Sequence, residues 1–164
     1  MGRWTTRLVV LLGVLCATAI AALGGAGGYL YWNHVELRAE EQARAELPDL
    51  AKQQMPLVFG YDYQTVERSF TDAYPLLTPD FRRDFQERAT KDIIPQARDR
   101  QVVSQANVVG VGMLAAHRNS ASVLVFMNRT VTDKSKQPVY DGSRLQVDYQ
   151  KVDGKWLIGF IKPI

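Results

Sequence analysis

The stretch of sequence that decides the fold is Leu145–Ile161, which reads LQVDYQKVDGKWLIGFI. Its first five residues alternate between apolar and polar, which is typical of a half-exposed strand. The pair Asp153-Gly154 then predicts a tight hairpin turn. The apolar run Trp156–Ile161 predicts a second, final strand. The apolar residues of the first strand are Leu145, Val147 and Tyr149.

Two further strands are predicted upstream of this hairpin. The Val- and Gly-rich run Val102–Ala115 predicts a long strand, and its adjacent valine pairs indicate a bulge. The run Ala121–Thr132 has apolar residues at both odd and even positions. That pattern predicts a central strand covered on both faces. Between this strand and the final hairpin, Asp133–Ser143 is expected to be a polar loop.

Helical patterns precede all of these strands. Apolar residues recur at every fourth position within the segment 33–60, which predicts helical structure that Pro48 kinks or restarts. Thr65–Leu77 predicts a helix with one buried face. Thr78 is expected to cap a further helix that reaches about residue 100 and that Pro95 shortens or bends. Helices before strands favour an α+β fold, with the helices on one face of a curved antiparallel sheet of about four strands.

A membrane anchor is predicted at the start of the chain. The segment 8–32 has 25 consecutive uncharged residues, and a bilayer core needs about 20 as a helix. Arg3 and Arg7 precede it and acidic residues follow it, so residues 1–7 are expected to be a short cytoplasmic tail. The alternative is a signal peptide cleaved near residues 19–22.

Two segments are predicted beyond the anchor, and the anchor itself contains a motif for helix packing. Residues 33–60 are expected to form a juxtamembrane helical segment, and 61–164 the extracytoplasmic α+β domain. Gly24 and Gly28 form a G-x-x-x-G pair, which permits close helix–helix packing in lipid. The alternative reading of these glycines is a flexible exit from the membrane.

The charge balance argues against a nucleic-acid partner. The chain has 20 basic and 17 acidic residues, and two of the basic ones precede the predicted anchor. The remaining 18 and 17, a net charge of +1, interleave rather than form a basic patch. A single cysteine, Cys16, excludes an internal disulfide framework. The chain therefore fits one polar domain outside the membrane.

No catalytic, cofactor-binding or metal-ligating residues are predicted. The sequence contains no Ser/His/Asp set, Gly-rich phosphate loop or metal-ligand spacing. Asp62 is expected to cap a helix, and Asp148 to lie on the exposed face of its strand. Six aromatic residues are candidates for lining a hydrophobic cavity, with ordinary core packing as the alternative. They are Tyr61, Tyr63, Tyr74, Phe81, Phe126 and Trp156.

Fragments spread along the outer domain resemble the Mce-associated membrane proteins of mycobacteria and related actinobacteria. Their order and spacing carry the resemblance more than any single fragment, and together they cover nearly all of the chain beyond the anchor. In order, they are Tyr61-Asp62-Tyr63, Leu77–Phe81, Ile94-Pro95, Val102-Val103, Val123–Asn128, Thr130–Thr132, Val152–Ile158 and Pro163-Ile164.

The resemblance implies a single-pass protein of the cell membrane whose outer domain has the nuclear-transport-factor-like, cystatin-like cone fold. It implies a non-enzymatic accessory or scaffold protein that assists an Mce-type importer of sterols or fatty acids. Protein partners in that complex, and a lipid ligand, follow from the same resemblance. Many relatives have a long charged N-terminal extension, whereas seven residues precede the anchor here. A role that depends on such an extension is therefore not assigned.

Two alternatives from other classes stay open. A short tail, one span and a cone-like domain also make up the inner-membrane core component of type IV secretion systems. The cone could instead bind a lipid or small molecule in its cavity, and a buried carboxylate there would favour an enzyme. Neighbouring genes would distinguish the Mce-associated role from the secretion role. Mce genes are expected beside the gene in the first case, and genes for conjugation ATPases in the second.

Overall fold

The computed structural model describes Trp32 and residues 34–164. The predicted tail 1–7, the pair Gly24/Gly28 and all of the segment 8–32 except Trp32 lie outside the described residues. In the part that is described, no helix is both long and apolar enough to cross a bilayer. The chain divides into two units, Met1–Ala39 and Glu40–Ile164. The fold below is that of the second unit.

The first helix, α1, covers residues 34–59. The helix continues through Pro48 without a restart. Proline has no amide hydrogen, so the carbonyl of Arg44 lacks its helical donor, but Arg44 is exposed. The sequence predicted that the outer domain begins at residue 61, whereas α1 packs into the core from Ala43 onward. The apolar residues of α1 that are buried there form one stripe, with spacings of four, four, four and three. They are Ala43, Leu47, Ala51, Met55 and Val58.

Three short helices follow and bring a second set of apolar residues to the sheet. Thr78 caps the helix Pro79–Arg88 (α3) as predicted, because its Oγ1 accepts a hydrogen bond from the amide of Phe81 at 3.4 Å. Pro95, which has no amide hydrogen, is preceded by a π-helical turn, so the predicted single helix is interrupted at that point by π-helical hydrogen bonding. The elements are α2 (Val66–Ala73), a 3₁₀ turn (Tyr74–Leu76), α3 (Pro79–Arg88), the π turn (Ala89–Ile93) and α4 (Ile94–Arg100).

The strands form one antiparallel sheet in chain order, which confirms the predicted α+β class. A two-residue strand adds a fifth member to the four predicted. The loop expected at Asp133–Ser143 is wrong, because strand pairing with Ser120–Thr132 continues down to Pro138. The strands are β1 (Tyr61–Asp62), β2 (Val103–Ala116), β3 (Ser120–Thr132), β4 (Pro138–Val152) and β5 (Lys155–Pro163).

Two local predictions for the sheet are confirmed. The register of β2 shifts between Val108 and Gly110, at the adjacent valines where a bulge was expected, and again between Met113 and Ala115. Bulges of this kind bend a strand and increase its twist. Asp153 and Gly154 have φ angles of +49° and +80°, as a two-residue hairpin turn of type I′ requires.

The central strand β3 is covered on one face, not on both as its sequence suggested. The residues of its inner face are buried against the helices, whereas Phe126 on the outer face is 38% exposed and Leu124 is half-buried. The hydroxyl of Ser122, also on that face, donates to Asp148 at 2.6 Å. Apolar side chains there pack along the sheet instead of beneath a second layer. The buried inner residues are Ala121, Val123, Val125 and Met127.

A close contact ends α1 at Gly60. The amide of Gly60 donates to the carbonyl of Pro56 at 2.8 Å, and the buried hydroxyl of Ser104 donates to the carbonyl of Phe59 at 2.9 Å. A Cβ atom at Gly60 would lie 2.6 Å from the same Pro56 oxygen. Only glycine fits this position without a backbone shift, so the end of α1 is fixed against β2.

Gly60→Ala is expected to lower the free energy of unfolding by about 1–3 kcal/mol, since the backbone oxygen of Pro56 must move. Gly112→Ala is the matched control, because a Cβ atom there meets nothing within 4 Å. It should leave stability unchanged or raise it by about 0.4–1 kcal/mol. Urea unfolding followed by circular dichroism measures both changes, and equal stability of the two variants would contradict the contact.

The loop between β3 and β4 is held by Asp133. Its carboxylate accepts from the amide of Ser135 and from the guanidinium of Arg100, each at 2.9 Å. The hydroxyl and amide of Ser135, and then Arg100, hold the pKa of Asp133 at about 2. A carboxylate with a lowered pKa stabilises the folded state above its unfolded-state pKa, and this contribution is lost as the pH falls through the folded-state value.

Ser135→Ala is expected to raise the pKa of Asp133, because the hydroxyl of Ser135 is the largest cause of its depression. Arg100→Met should raise it by less. The loss of stability on acidification toward the folded-state pKa should also be smaller in Asp133→Asn than in the unsubstituted chain. Carboxyl ¹³C titration by NMR measures the pKa, and an unchanged midpoint in Ser135→Ala would be the contrary result.

Candidate functional site

A cleft of about 340 Å³, called the main cleft below, lies between the helices and the inner face of the sheet. The end of α1, the inner side of α3 and three strands contribute to its wall, which is mostly apolar. The lining residues are Val58, Phe59, Phe81, Phe85, Arg88, Ile93, Met127, Arg129, Ser143, Leu145, Ile161 and Pro163.

Aromatic packing positions the helical side of the cleft. Phe81 and Phe85 lie one turn apart on α3, with ring centroids 6.3 Å apart. Phe85 meets Phe70 of α2 edge-on at 5.4 Å, which anchors α3 to the second core cluster. Phe81 in turn lies 6.2 Å from Phe160 of β5. These contacts keep two rings on the cleft wall instead of letting them fill it.

A polar group closes one end of the cleft. Arg129 on β3 and Asp141 on β4 are register partners, and the Nη2 atom of Arg129 donates to Asp141 Oδ2 at 3.1 Å. The hydroxyl of Ser143 donates to the same carboxylate oxygen at 3.0 Å. Asp141 therefore orients both donors along the inner face of the sheet.

Arg129 keeps an unused donor at this end. Its Nε atom is buried, and no described residue accepts its hydrogen. A buried N–H group without an acceptor costs about 1–3 kcal/mol, and more when the group is charged. The second cation of the cleft, Arg88, is exposed and forms no ion pair among the described residues. The cleft thus offers donors and positive charge beside an apolar wall.

An adjoining cleft of about 310 Å³ shares Arg129 and Ile93 with the main one and includes Tyr61. Burial raises the pKa of the Tyr61 hydroxyl, and the positive charge of Arg129 partly opposes that rise. The field of Arg129 therefore reaches both clefts.

The six aromatic candidates do not form one cavity wall. Phe81 lines the main cleft and Tyr61 the adjoining one, while Tyr63 and Tyr74 pack against the core cluster around Phe70. Two others lie elsewhere. Trp156 is buried in the main core with the ammonium of Lys151 over its ring at 5.2 Å, and Phe126 is on the outer face.

The polar residues of the cleft were not predicted from the sequence. Arg129 continues the inner-face alternation of β3, two residues after Met127, and this was the available signal. A charged side chain on the same strand face as buried residues is costly to bury without a partner. It therefore indicates a place where the inner face contacts solvent or a ligand. Ser143 was missed because it was assigned to a loop.

The described lining of the main cleft combines an apolar wall with cationic donors. Among the described residues, the main cleft is lined by apolar side chains, two arginines and one serine, and Asp141 contacts Arg129 and Ser143 without being a lining residue. General acid–base catalysis requires a side chain that can take up or release a proton beside the reacting atoms. Among the described residues, no group of three side chains could hold a metal ion. An apolar chain and an anion are the chemical features that this cleft can bind.

The fold is shared with domains of type IV secretion proteins. An IcmL-like type IV secretion system protein from Legionella pneumophila superposes with a TM-score of 0.64, at 8% identity over 74% of this chain and 93% of that one. CagV, a VirB8 homolog from Helicobacter pylori, gives a TM-score of 0.58 at 12% identity over 73% and 96%. At these identities the likeness concerns the fold.

By sequence, the chain belongs to the family described as "Uncharacterized protein Rv1363c/MT1408-like", which matches residues 8–158. A relative in Mycobacterium tuberculosis strain H37Rv, outer membrane protein Rv1973, is 29% identical over 156 residues. That alignment covers 95% of this chain and 97% of the relative. The relative's name places it at a membrane.

Arg129→Met is expected to raise the pKa of Tyr61 further, because it removes the positive charge that favours the phenolate. Arg144→Met is the matched control. Arg144 is exposed and pairs in register with Phe126 on the outer face. Alkaline titration of the tyrosine ¹³Cζ signal by NMR measures both. Equal pKa values of Tyr61 in the two variants would argue against Arg129 as the source of the field.

Proposed function

We propose that this chain is a non-enzymatic assembly protein of the cell envelope, anchored by the segment 8–32 and acting through the cone domain outside the cytoplasmic membrane. The observation that carries the proposal is one uncharged segment of 25 residues followed by a cone fold of the kind that secretion components have. A cleft without acid–base groups among its lining residues supports binding as the activity.

A secretion-type complex is the first candidate for the assembly. Its support is the extent of the fold likeness, which covers 93% of the IcmL-like chain and 96% of CagV. Because those two chains are described as type IV secretion proteins, the analogous role here is as a core component that other subunits bind.

An Mce-type lipid importer is the second candidate. Its support is the order of sequence fragments that resemble Mce-associated proteins, from Tyr61-Asp62-Tyr63 to Val152–Ile158. In this reading the cone domain stabilises the importer, and sterols or fatty acids are the cargo of its partners. Either candidate uses the bilayer and protein partners, without a nucleic acid or a cofactor.

Affinity purification of the full chain from native membranes, after cross-linking in the cell, tests the proposal. We expect a fixed set of envelope proteins at comparable abundance by quantitative mass spectrometry. Conjugation-type ATPases in that set support the secretion complex, and Mce or permease subunits support the importer. A chain recovered without any specific partner would contradict an assembly role.

Two matched controls locate the contact. In the first, an unrelated single-pass anchor replaces 8–32, and partners that bind the cone domain should be retained. In the second, Gly24→Ile and Gly28→Ile are introduced together, which should release only partners that pack against the predicted membrane helix. Retention of the whole partner set by the anchor fused to an unrelated domain would contradict a role for the cone.

A further inference from the structure

The main cleft changes from apolar to cationic along the strands. On β3 the inner face passes from Met127 to Arg129, and on β4 it passes from Leu145 through Ser143 to Asp141. Ile161 of β5 adds to the apolar end, because its register partner is Val147. An elongated amphiphile would find its apolar and polar parts matched in this direction.

The helical side follows the same gradient. Phe81, at the start of α3, contacts Phe160 of β5, whereas Ile93 beyond α3 shares the adjoining cleft with Arg129. Arg88 lies between these two positions in the chain, one turn beyond Phe85. Both arginines line the cleft, and together with Asp141, the partner of Arg129, they give a net charge of +1.

The donor geometry favours a carboxylate at this end. Asp141 uses the Nη2 atom of Arg129 and leaves the buried Nε atom without an acceptor among the described residues. The side chain of Arg129 is 35% exposed, so the Nη hydrogens that Asp141 does not use can donate to an added carboxylate. Charge-assisted bonds of this type are roughly twice as strong as neutral ones. A ligand with a cationic head would meet Arg129 and Arg88 instead and be repelled.

We infer that this cleft binds a single-chain fatty acid. The carboxylate lies on Arg129, with Arg88 adding positive charge. The chain lies against Phe81, Phe85, Met127 and Leu145. This site is independent of the assembly role, because it needs no protein partner.

Photolabelling of the purified full chain in lipid nanodiscs tests the site. The probe is dodecanoic acid with a terminal diazirine, and labelled peptides are located by mass spectrometry. We expect label on the peptides that contain Met127, Leu145 and Ile161, and protection by excess dodecanoate but not by dodecyltrimethylammonium. Label confined to residues 1–31, or equal protection by dodecanol and dodecanoate, would overturn the inference.

Arginine variants test the head-group contact. Arg129→Met should reduce cleft labelling by at least about tenfold, the loss expected for one hydrogen bond to a charged group. Arg144→Met on the outer face should label like the unsubstituted chain. Arg88→Met should reduce labelling severalfold, and its exposed side chain makes no ion pair in the described structure that folding would lose. If Arg129→Met does not fold, Arg88→Met decides: unchanged labelling there overturns the inference.

The outcomes separate this site from the proposed assembly role. The labelling uses the isolated chain, so a failed search for partners leaves its result intact. Loss of labelling in Arg129→Met with an unchanged partner set would mean that the cleft and the assembly surface are distinct.

Discussion

The packing of α1 against the concave face of the sheet is the contact on which the rest of the domain depends. Its stripe alternates small and large residues, with Ala43 and Ala51 allowing close approach and Leu47 and Met55 filling the space between. Full burial of a Leu, Met or Val side chain contributes about 1.5–3 kcal/mol. The helix ends where Gly60 turns the chain, and the cleft lies beside this end, with Val58 and Phe59 in its wall.

Sheet curvature is the second condition, because a flat sheet could not surround a helix. The extra residues Val109 and Leu114 on β2 and Gly159 on β5 mark three places where the register shifts. The two on β2 are among the most exposed apolar side chains of the domain. This is expected, since a bulged residue is left unpaired and turns away from the ladder. The concave face is buried against the helices, whereas the outer face is exposed.

The candidate site was only partly visible in the sequence. Phe81 was singled out as a cavity residue, and the structure places it in the cleft wall beside Phe85. Arg129 was not singled out, because its role depends on Asp141 twelve residues later and on the tertiary packing that buries its Nε atom. Phe126 was misplaced for a related reason. Alternation identifies two faces of a strand but does not say whether a second layer covers the outer one.

The sequence by itself determined the local elements: the Asp153-Gly154 turn, the Thr78 cap, the bulge at the paired valines and the order of helices before strands. These features depend on backbone preferences and on neighbours a few residues away. Tertiary structure alone decided that α1 runs through Pro48 into the core, that β4 begins at Pro138 and that Arg129 lines a cleft. Each of these depends on contacts between residues far apart in the chain, and burial there outweighs local propensity.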